Sequence, residues 1–557
     1  VTGIAMMNSA FVEAAMNDNM TLVPLMYGIV IVLLLLTLRS VSATVSVVLL
    51  ILFTITSSLG LFGWFGWHLN PTSAVASTII LTIAVADCIH VLAAFLHAMQ
   101  QGLDKRHAIQ EALRINFKPI ALTSLTTTIG FLSMNFSDAP PFRELGNIVA
   151  VGVVIALVLT LTLLPALMVL LPVKIRLKTP REKSSLSGLA NWVVRWRKPL
   201  LLFNTFLGVV LAGIAFNNEL NDDFVKYFDE TVEFRRATDF LNQNLGGIYS
   251  IEVALDTGSE GGISEPLLLR QIDQLVGWLY LQPEVVHVHS ITDTFKRLNK
   301  NMHSDDNSAY SLPEHRELAA QYLLMYEMSL PYGLDLNDQI TIDKSGLRLI
   351  ITLKSLSTNQ ILDVEQRINQ WVRDHMPEIG YQMASTTLMF SHIGKRNIKS
   401  MIFGAFIALG FISLLLVFAF RSIKLGFISL VPNLAPAAMA FGVWALIDGQ
   451  VGLGLSVVTS ITLGIVVDDT IHFISKYRHA RVDKGLSSEE AVRYAFSTVG
   501  IAIWMTSVVL ACGFFVLSFS QFTVNAQMGL LTAITIAIAL LMDLLLLPPL
   551  LMVLDRK

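Results

Sequence analysis

Eleven runs of roughly 17 or more mostly apolar residues punctuate this chain, each long enough to cross the ~30 Å hydrocarbon core of a bilayer as a helix. They fall at Val23–Leu38, Val41–Trp64, Thr72–Phe95, Pro119–Phe136, Ile148–Leu171, Leu200–Phe216, Ile398–Phe420, Ile423–Leu446, Leu455–Ile474, Val499–Phe519 and Met528–Leu551. Only 15% of the 557 residues are charged and 54% are hydrophobic, against about 25% charged in an ordinary soluble domain. A chain dissolved in water along its whole length is excluded, and a polytopic α-helical membrane protein is expected. Cys88 and Cys512 both sit in apolar runs, so neither a disulfide framework nor a cysteine metal site is expected.

Orientation follows from the basic residues, which accumulate in short loops on the cytoplasmic side. Lys174, Arg176, Lys178, Arg181, Lys183, Arg195, Arg197 and Lys198 crowd the segment between the fifth and sixth runs. Alternate loops add Lys105, Arg106, Arg114 and Lys118, then Lys476, Arg478, Arg481, Lys484 and Arg493, with Arg39, Arg421 and Lys424 at tight turns. With Arg556 and Lys557 these make 22 of the 24 basic residues outside the one long polar segment; the opposite loops hold only Arg143 and Lys399. The long segment, with 26 acidic and 15 basic residues, is therefore expected outside, the C-terminus inside and the N-terminus outside.

The chain also repeats itself. A shift of 382 sets Gly28 on Gly410, Arg39-Ser40 on Arg421-Ser422, Asp87 on Asp469 and His90 on His472. One inserted residue later, a shift of 383 pairs Gly102-Leu103 with Gly485-Leu486, Thr123-Ser124 with Thr506-Ser507, Gly130-Phe131 with Gly513-Phe514 and Pro165 with Pro548. Equivalent spans run the same way through the membrane, which is the pattern of parallel transporter repeats about an axis along its normal. The expected organisation is a tail of a first outer domain at 1–20, a first transmembrane repeat at 21–171 and a cytoplasmic linker at 172–198. A further span at 199–216, an outer domain at 217–397 and a second repeat at 398–557 complete it. Val1 is no initiator, and the first twenty residues have neither the basic region nor the apolar core of a signal peptide. The repeat accordingly predicts roughly 180–200 residues upstream, for twelve spans and two outer domains in full.

Within the outer segment, Ser250–Asp256 and Val285–Ile291 read as strands around a helix at Glu265–Leu281. Leu347–Lys354 and Gly380–Ala384 flank another at Asn359–Arg373, with a helix at Pro313–Met328 between. This βαβ rhythm, occurring twice, is that of ferredoxin-like α/β subdomains. The segment holds no nucleotide loop, zinc spacing or nucleophile motif, so it is a scaffold or a substrate-handling domain.

Ionisable residues at membrane depth cost about 2.5–3.5 kcal/mol each and usually mark a pathway or relay. Four acids lie well inside the runs: Asp87, Asp468, Asp469 and Asp543. Asp87 and Asp469 are repeat mates, in TIAVADCIH and GIVVDDTIHF, and a pseudo-two-fold axis would set them face to face at the bundle centre. Burial and mutual repulsion both oppose ionisation of neighbouring carboxylates, which suits them to carry protons; alternatively they only hydrogen-bond to adjacent helices. His90 and His472 lie three residues later, hence one turn on and on nearly the same face. They read either as proton relays or as interfacial histidines satisfied by headgroups or water. Thr123, Ser124, Thr506 and Ser507 are placed to hydrogen-bond the acids or simply to pack helices. Asp543 has Thr160 as its mate and is a candidate relay on its own. Gly102–Leu113 and Gly485–Ala495 alternate charged and apolar residues like interfacial amphipathic helices.

At these residues a resemblance becomes specific. GIVVDDTIHF, in the tenth span of a twelve-span count, resembles the GxxxD motif of resistance-nodulation-division (RND) permeases. The subgroup it is most similar to is the MMPL and sterol-sensing-domain-like predicted exporters, also called hydrophobe/amphiphile efflux type 3. YLLMYEMS in the outer segment is similar to them too, and the likeness covers the whole chain. It implies a multi-pass inner-membrane exporter whose porter domain faces the periplasm and moves hydrophobic or amphiphilic, lipid-like molecules outward. Protons entering through the central acids would drive it, with Asp87, Asp468 and Asp469 as the relay; His90, His472, Thr506, Ser507 and Asp543 join the candidate relay from the reading of the residues above. Protons, membrane lipids and a homo-oligomer or periplasmic accessory protein are the partners this implies; nucleic acid, cofactor and metal are not among them.

The first copy departs from the motif, having Ala86 where the second has Asp468 and Thr82 where it has Gly464. The lack of an intramembrane Lys or Arg like that of the multidrug branch favours the lipid-handling branch. Two alternatives remain at the level of sequence. One is a sterol-sensing-domain-like lipid sensor or scaffold without transport. The other is an intramembrane aspartyl protease using two membrane aspartates; its GxGD signature is missing here, since the run is Gly464-Ile465-Val466-Val467-Asp468. An enzyme is not expected.

Overall fold

A computed structural model of the chain describes residues 3–173, 186–244, 246–331 and 335–555. Lys174, Arg176, Lys178, Arg181, Lys183, Arg556 and Lys557, used above for orientation, lie outside the described residues, as does much of the expected linker 172–198. The chain begins with α1 (Ile4–Leu38), α2 (Val41–Trp64), α3 (Ala76–Gln100), α4 (Lys105–Leu132), α5 (Pro140–Leu170), α6 (Ser187–Arg195) and α7 (Arg197–Ile214). The middle contains β1 (Glu219–Leu220), α8 (Glu233–Asn244), β2 (Tyr249–Asp256), α9 (Pro266–Tyr280), β3 (Val285–His289), α10 (Ile291–Met302), α11 (Arg316–Ser329), β4 (Gly346–Leu353), α12 (Thr358–His375) and β5 (Gly380–Ala384). It closes with α13 (Thr386–Phe420), α14 (Ile423–Ile447), β6 (Gln450–Val451), α15 (Leu453–Val482), α16 (Ser488–Val516), α17 (Thr523–Leu545) and α18 (Leu547–Leu554). Two compact units result: a helical one of Asn8–Leu220, Tyr227–Asp229 and Arg396–Lys557, and an α/β one of Val1–Met7, Asn221–Lys226 and Glu230–Lys395.

Among the described residues ten helices are long and apolar enough to cross a membrane, against the eleven expected. The difference is α4, expected as a span at Pro119–Phe136. It is a helix of 28 residues, but Thr123, Ser124, Thr126, Thr127 and Thr128 dilute its apolar character. The first four are buried; Ser124 and Thr127 donate to neighbouring helices, while Thr123 and Thr126 donate to carbonyls of α4 itself. A second difference concerns the stretches Gly102–Leu113 and Gly485–Ala495, which are not separate interfacial helices but lead into the first turns of α4 and α16. Gly102 and Gly485, with φ of +95° and +64°, form the left-handed stops after α3 and α15. Beyond them Asp104 stands at the N-cap of α4, and a Ser487–Glu490 capping box starts α16. No breaker then interrupts either helix before the apolar run begins.

Positions related by the offset share local geometry. Arg39 and Arg421 are both left-handed, with φ of 49° and 48°, a conformation that ends a helix. Ser40 and Ser422 follow, each accepting a hydrogen bond from the backbone N–H three residues on, at 3.4 and 3.2 Å, so a new helix starts at once. Burial then separates centre from rim. In the most apolar stretch of α15, 94% of residues are buried, and 83% in that of α3, against 11% for α7. Helices α3 and α15 therefore form the interior of the helical unit.

Small residues let these helices touch their neighbours. A Cβ on Gly130 of α4 would lie 2.8 Å from the Gly464 Cα of α15, and one on Gly513 of α16 would lie 2.6 Å from the Thr82 Cγ2 of α3. The Thr127 hydroxyl donates to the Gly464 carbonyl at 2.6 Å across the same α4–α15 seam. Because backbone cannot yield as a flexible side chain can, Gly130→Ala is expected to destabilise the bundle by about 1–2 kcal/mol. Denaturant unfolding in detergent would show it as a lower midpoint with an unchanged slope; an unchanged midpoint would mean the seam is looser than described.

In the α/β unit four antiparallel strands lie in the order β3-β4-β2-β5. Tyr249, Ile251, Val253 and Leu255 of β2 point inward at period two, as do Leu347, Leu349, Ile351 and Leu353 of β4. They pack with Ile272, Leu275 and Leu279 of α9 and Ile361, Val364 and Ile368 of α12. The strand expected to reach Ile291 stops at His289, because Ser290 caps α10 by accepting from the Thr292 N–H at 3.2 Å. The helix expected from Pro313 starts at Arg316, and α8 and α10 are short polar helices that the sequence pattern does not announce.

Candidate functional site

The four apolar-run acids all lie in the helical unit and all are buried, none more than 8% exposed. Asp87 sits mid-way along α3, where the Ser124 hydroxyl of α4 donates to its Oδ2 at 3.3 Å. Asp469 sits on α15, where the Ser507 hydroxyl of α16 donates to its Oδ2 at 2.5 Å. Thr506 also approaches Asp469 Oδ1, at 3.3 Å, but its single proton lies nearer its own helix carbonyls, Ile503 at 2.9 Å and Ala502 at 3.0 Å. Ser507 is thus the firm donor and Thr506 a secondary one. The mates Ser124 and Ser507 serve the mates Asp87 and Asp469.

Asp468 occupies a different place from the one the sequence pattern suggests for a partner of Asp87. Asp469 was expected opposite Asp87, yet the carboxylate that shares a cavity with Asp87 is Asp468. That cavity, of about 20 Å³, is lined by Asp87, Thr123, Ser124, Thr127 and Asp468 together with Ile83, Ala86, Ile465 and Leu510. It is large enough for one water molecule. The reason is helical geometry: adjacent residues on α15 point about 100° apart, so Asp468 turns to α3 and α4 while Asp469 turns to α16. Asp543 lies on α17, fully buried, and accepts from the Thr470 hydroxyl at 2.7 Å. The offset equivalents of Thr470 and Asp543 are Cys88 and Thr160, themselves 3.8 Å apart.

One turn further along α3 and α15, His90 and His472 stack face to face, centroids 3.6 Å apart and planes within 2°. They are 2% and 0% exposed, inside the bundle rather than at its surface. Asp468 lies beside both, with Oδ1 3.5 Å from His472 Nε2 and Oδ2 4.0 Å from His90 Nε2. Lys476, placed by sequence in a cytoplasmic loop, is instead inside α15, one turn past His472 and only 9% exposed. The signal was available: Asp469, His472 and Lys476 recur at helical spacing on one face. A line of carboxylate, imidazole and ammonium groups thus follows α15, faced by carboxylate and imidazole on α3.

The family profile described as the MMPL family matches residues 1–200 and 336–557, spanning both halves of the helical unit. The chain belongs to the MMPL family. Among MMPL relatives it is 22% identical over 597 aligned residues to the mycolic acid-containing lipids exporter MmpL11 of Mycolicibacterium smegmatis, covering 100% of this chain and 57% of that protein. It is 29% identical over 196 residues to the sulfolipid-1 exporter MmpL8 of Mycobacterium tuberculosis, covering 35% of this chain and 18% of that protein. The chain therefore spans between about a fifth and three fifths of the length of these relatives. Family membership and the apolar helices together make it a multi-pass membrane protein of a transporter family.

Proposed function

We propose that the chain acts as a proton-motive-force-driven, RND-type exporter of hydrophobic or amphiphilic, lipid-like molecules. The observation that carries this reading is the set of buried acids on α3 and α15, each with a hydroxyl or imidazole neighbour. Such groups are too costly in a membrane to persist as mere packing. Both relatives named above are lipid exporters by name, which supports the substrate class. In this reading residues 21–171 and 398–557 are parallel repeats joined through the 172–198 linker and the 199–216 span. The left-handed Arg39 and Arg421 and the paired serine–aspartate contacts support that equivalence. Residues 217–397 are a ferredoxin-like porter domain in the periplasm, supported by the strand order of its sheet. Protons pass between Asp87, Asp468 and Asp469, with Ser507 and Thr506 orienting Asp469 and the stacked His90 and His472 linking the acids to the cytoplasmic side. Asp543 holds Thr470 beside that path.

The test is export of a fluorescent acyl lipid from liposomes carrying the full chain, with the compartment facing residues 217–397 made acidic. Export that follows the imposed gradient and collapses with a protonophore is expected. Lipid binding without gradient-dependent movement would contradict the reading and favour a sensor.

A further inference from the structure

Three side chains at the bundle centre are arranged in a way that the proton path does not require. His90, Asp468 and His472 each offer a ligand atom, all within 4.8 Å of one another and all buried. His90 Nε2, both ring nitrogens of His472 and Asp468 Oδ1 are buried without a hydrogen-bond partner among the described residues. Unsatisfied buried polar atoms are rare in folded proteins, and a bound ion is one of their standard explanations. The two histidines come from different halves of the sequence, and Asp468 and His472 are one turn apart on α15, so no local spacing announces the set.

We propose that His90, Asp468 and His472 form a binding site for a divalent transition-metal ion of the zinc or cobalt type. Two imidazoles and a carboxylate suit such ions, whereas calcium and magnesium prefer all-oxygen shells. Bonds of about 2.0–2.1 Å around a tetrahedral centre place ligand atoms roughly 3.3 Å apart. The 3.5 Å between Asp468 Oδ1 and His472 Nε2 is already close to that, whereas His90 Nε2, 4.0 Å from Asp468 Oδ2, has to move inward on binding. The cavity beside Asp468 leaves room for water as a further ligand. Asp87 on that cavity and Asp469 next in sequence are further carboxyl groups that favour a cation when they ionise, while Lys476 one turn on opposes it when protonated. If the proton path described above is correct, the metal occupies the same groups as the proton and blocks transport.

The experiment is titration of the purified, chelator-treated full chain in detergent with Co²⁺, read by its visible ligand-field bands, followed by displacement with Zn²⁺. One tetrahedral site per chain is expected, together with a Zn²⁺-dependent rise in unfolding temperature. His472→Gln and Asp468→Asn should each weaken binding by at least about 100-fold, the upper end of what losing even an outer-shell partner costs. Lys476→Met should tighten it, a gain that a misfolded variant would not give. His479→Gln, at the exposed His479–Asp483 pair, should leave the bands unchanged. Absence of tetrahedral bands in the wild-type chain, or bands that survive His472→Gln and vanish with His479→Gln, would overturn the site. Because binding is read spectroscopically, its failure is distinguishable from a failure of the transport reading.

Discussion

Replacing Asp469 by asparagine is expected to reduce proton-driven lipid export by about 100-fold or more, the order lost when a proton-transferring side chain is removed. Asparagine keeps the shape of the side chain and can still accept from the Ser507 hydroxyl, now 2.5 Å from Asp469 Oδ2. What it loses is the ability to take up and release a proton. The unfolding midpoint in detergent should therefore move little while export collapses. Export that persists in a folded Asp469→Asn chain would remove Asp469 from the path and leave it a packing residue. Ser507→Ala should have a milder effect than Asp469→Asn, because Thr506 remains 3.3 Å from the carboxylate.

A second large effect is expected in stability rather than transport. Asp543 is fully buried, and the 2.7 Å hydrogen bond from Thr470 satisfies one of its oxygens; its Oδ2 has no partner among the described residues. Thr470→Val removes the donor and strands the carboxyl group, at a cost of about 2–3 kcal/mol. Thr470→Val combined with Asp543→Leu removes both polar partners and should recover most of that loss. Denaturant unfolding of the two single variants and the double variant measures the coupling directly. Additive effects would mean that the hydrogen bond contributes nothing. Asp543→Asn, which keeps an acceptor for Thr470, then separates a structural role from a proton-carrying one by its effect on export alone.

The elements that could be read from sequence are those set by local physics. Apolar length announces a membrane helix, and period-two burial announces β2 and β4, because each needs only residues close in the chain. Helix α4 escapes the same criterion because its hydroxyls lower a hydropathy sum although Thr123, Thr126 and Thr128 donate to carbonyls of their own helix and Ser124 and Thr127 to neighbouring helices. The amphipathic stretches after Gly102 and Gly485 do bury a face at Ala108, Ile109 and Ala112. Whether such a helix stops at the interface or continues depends on caps and breakers rather than on amphipathicity.

The acids themselves stand out in the sequence because their cost in a membrane is independent of their partners. Their partners do not. That Asp468 rather than Asp469 shares a cavity with Asp87 follows from the rotation of α15 against α3. That His90 meets His472 depends on how two helices more than 350 residues apart in sequence are packed. Pairing by the repeat offset identifies which residues are equivalent, yet equivalent residues need not touch.

The most direct test of the account is proton movement itself, in vesicles holding the full chain and an internal pH dye, with a panel of lipid-like substrates outside. Wild type would be compared with Asp87→Asn and Asp469→Asn. Proton uptake that requires substrate in the wild type and is lost in both variants is the predicted result. Substrate-dependent proton movement that survives both replacements would contradict it.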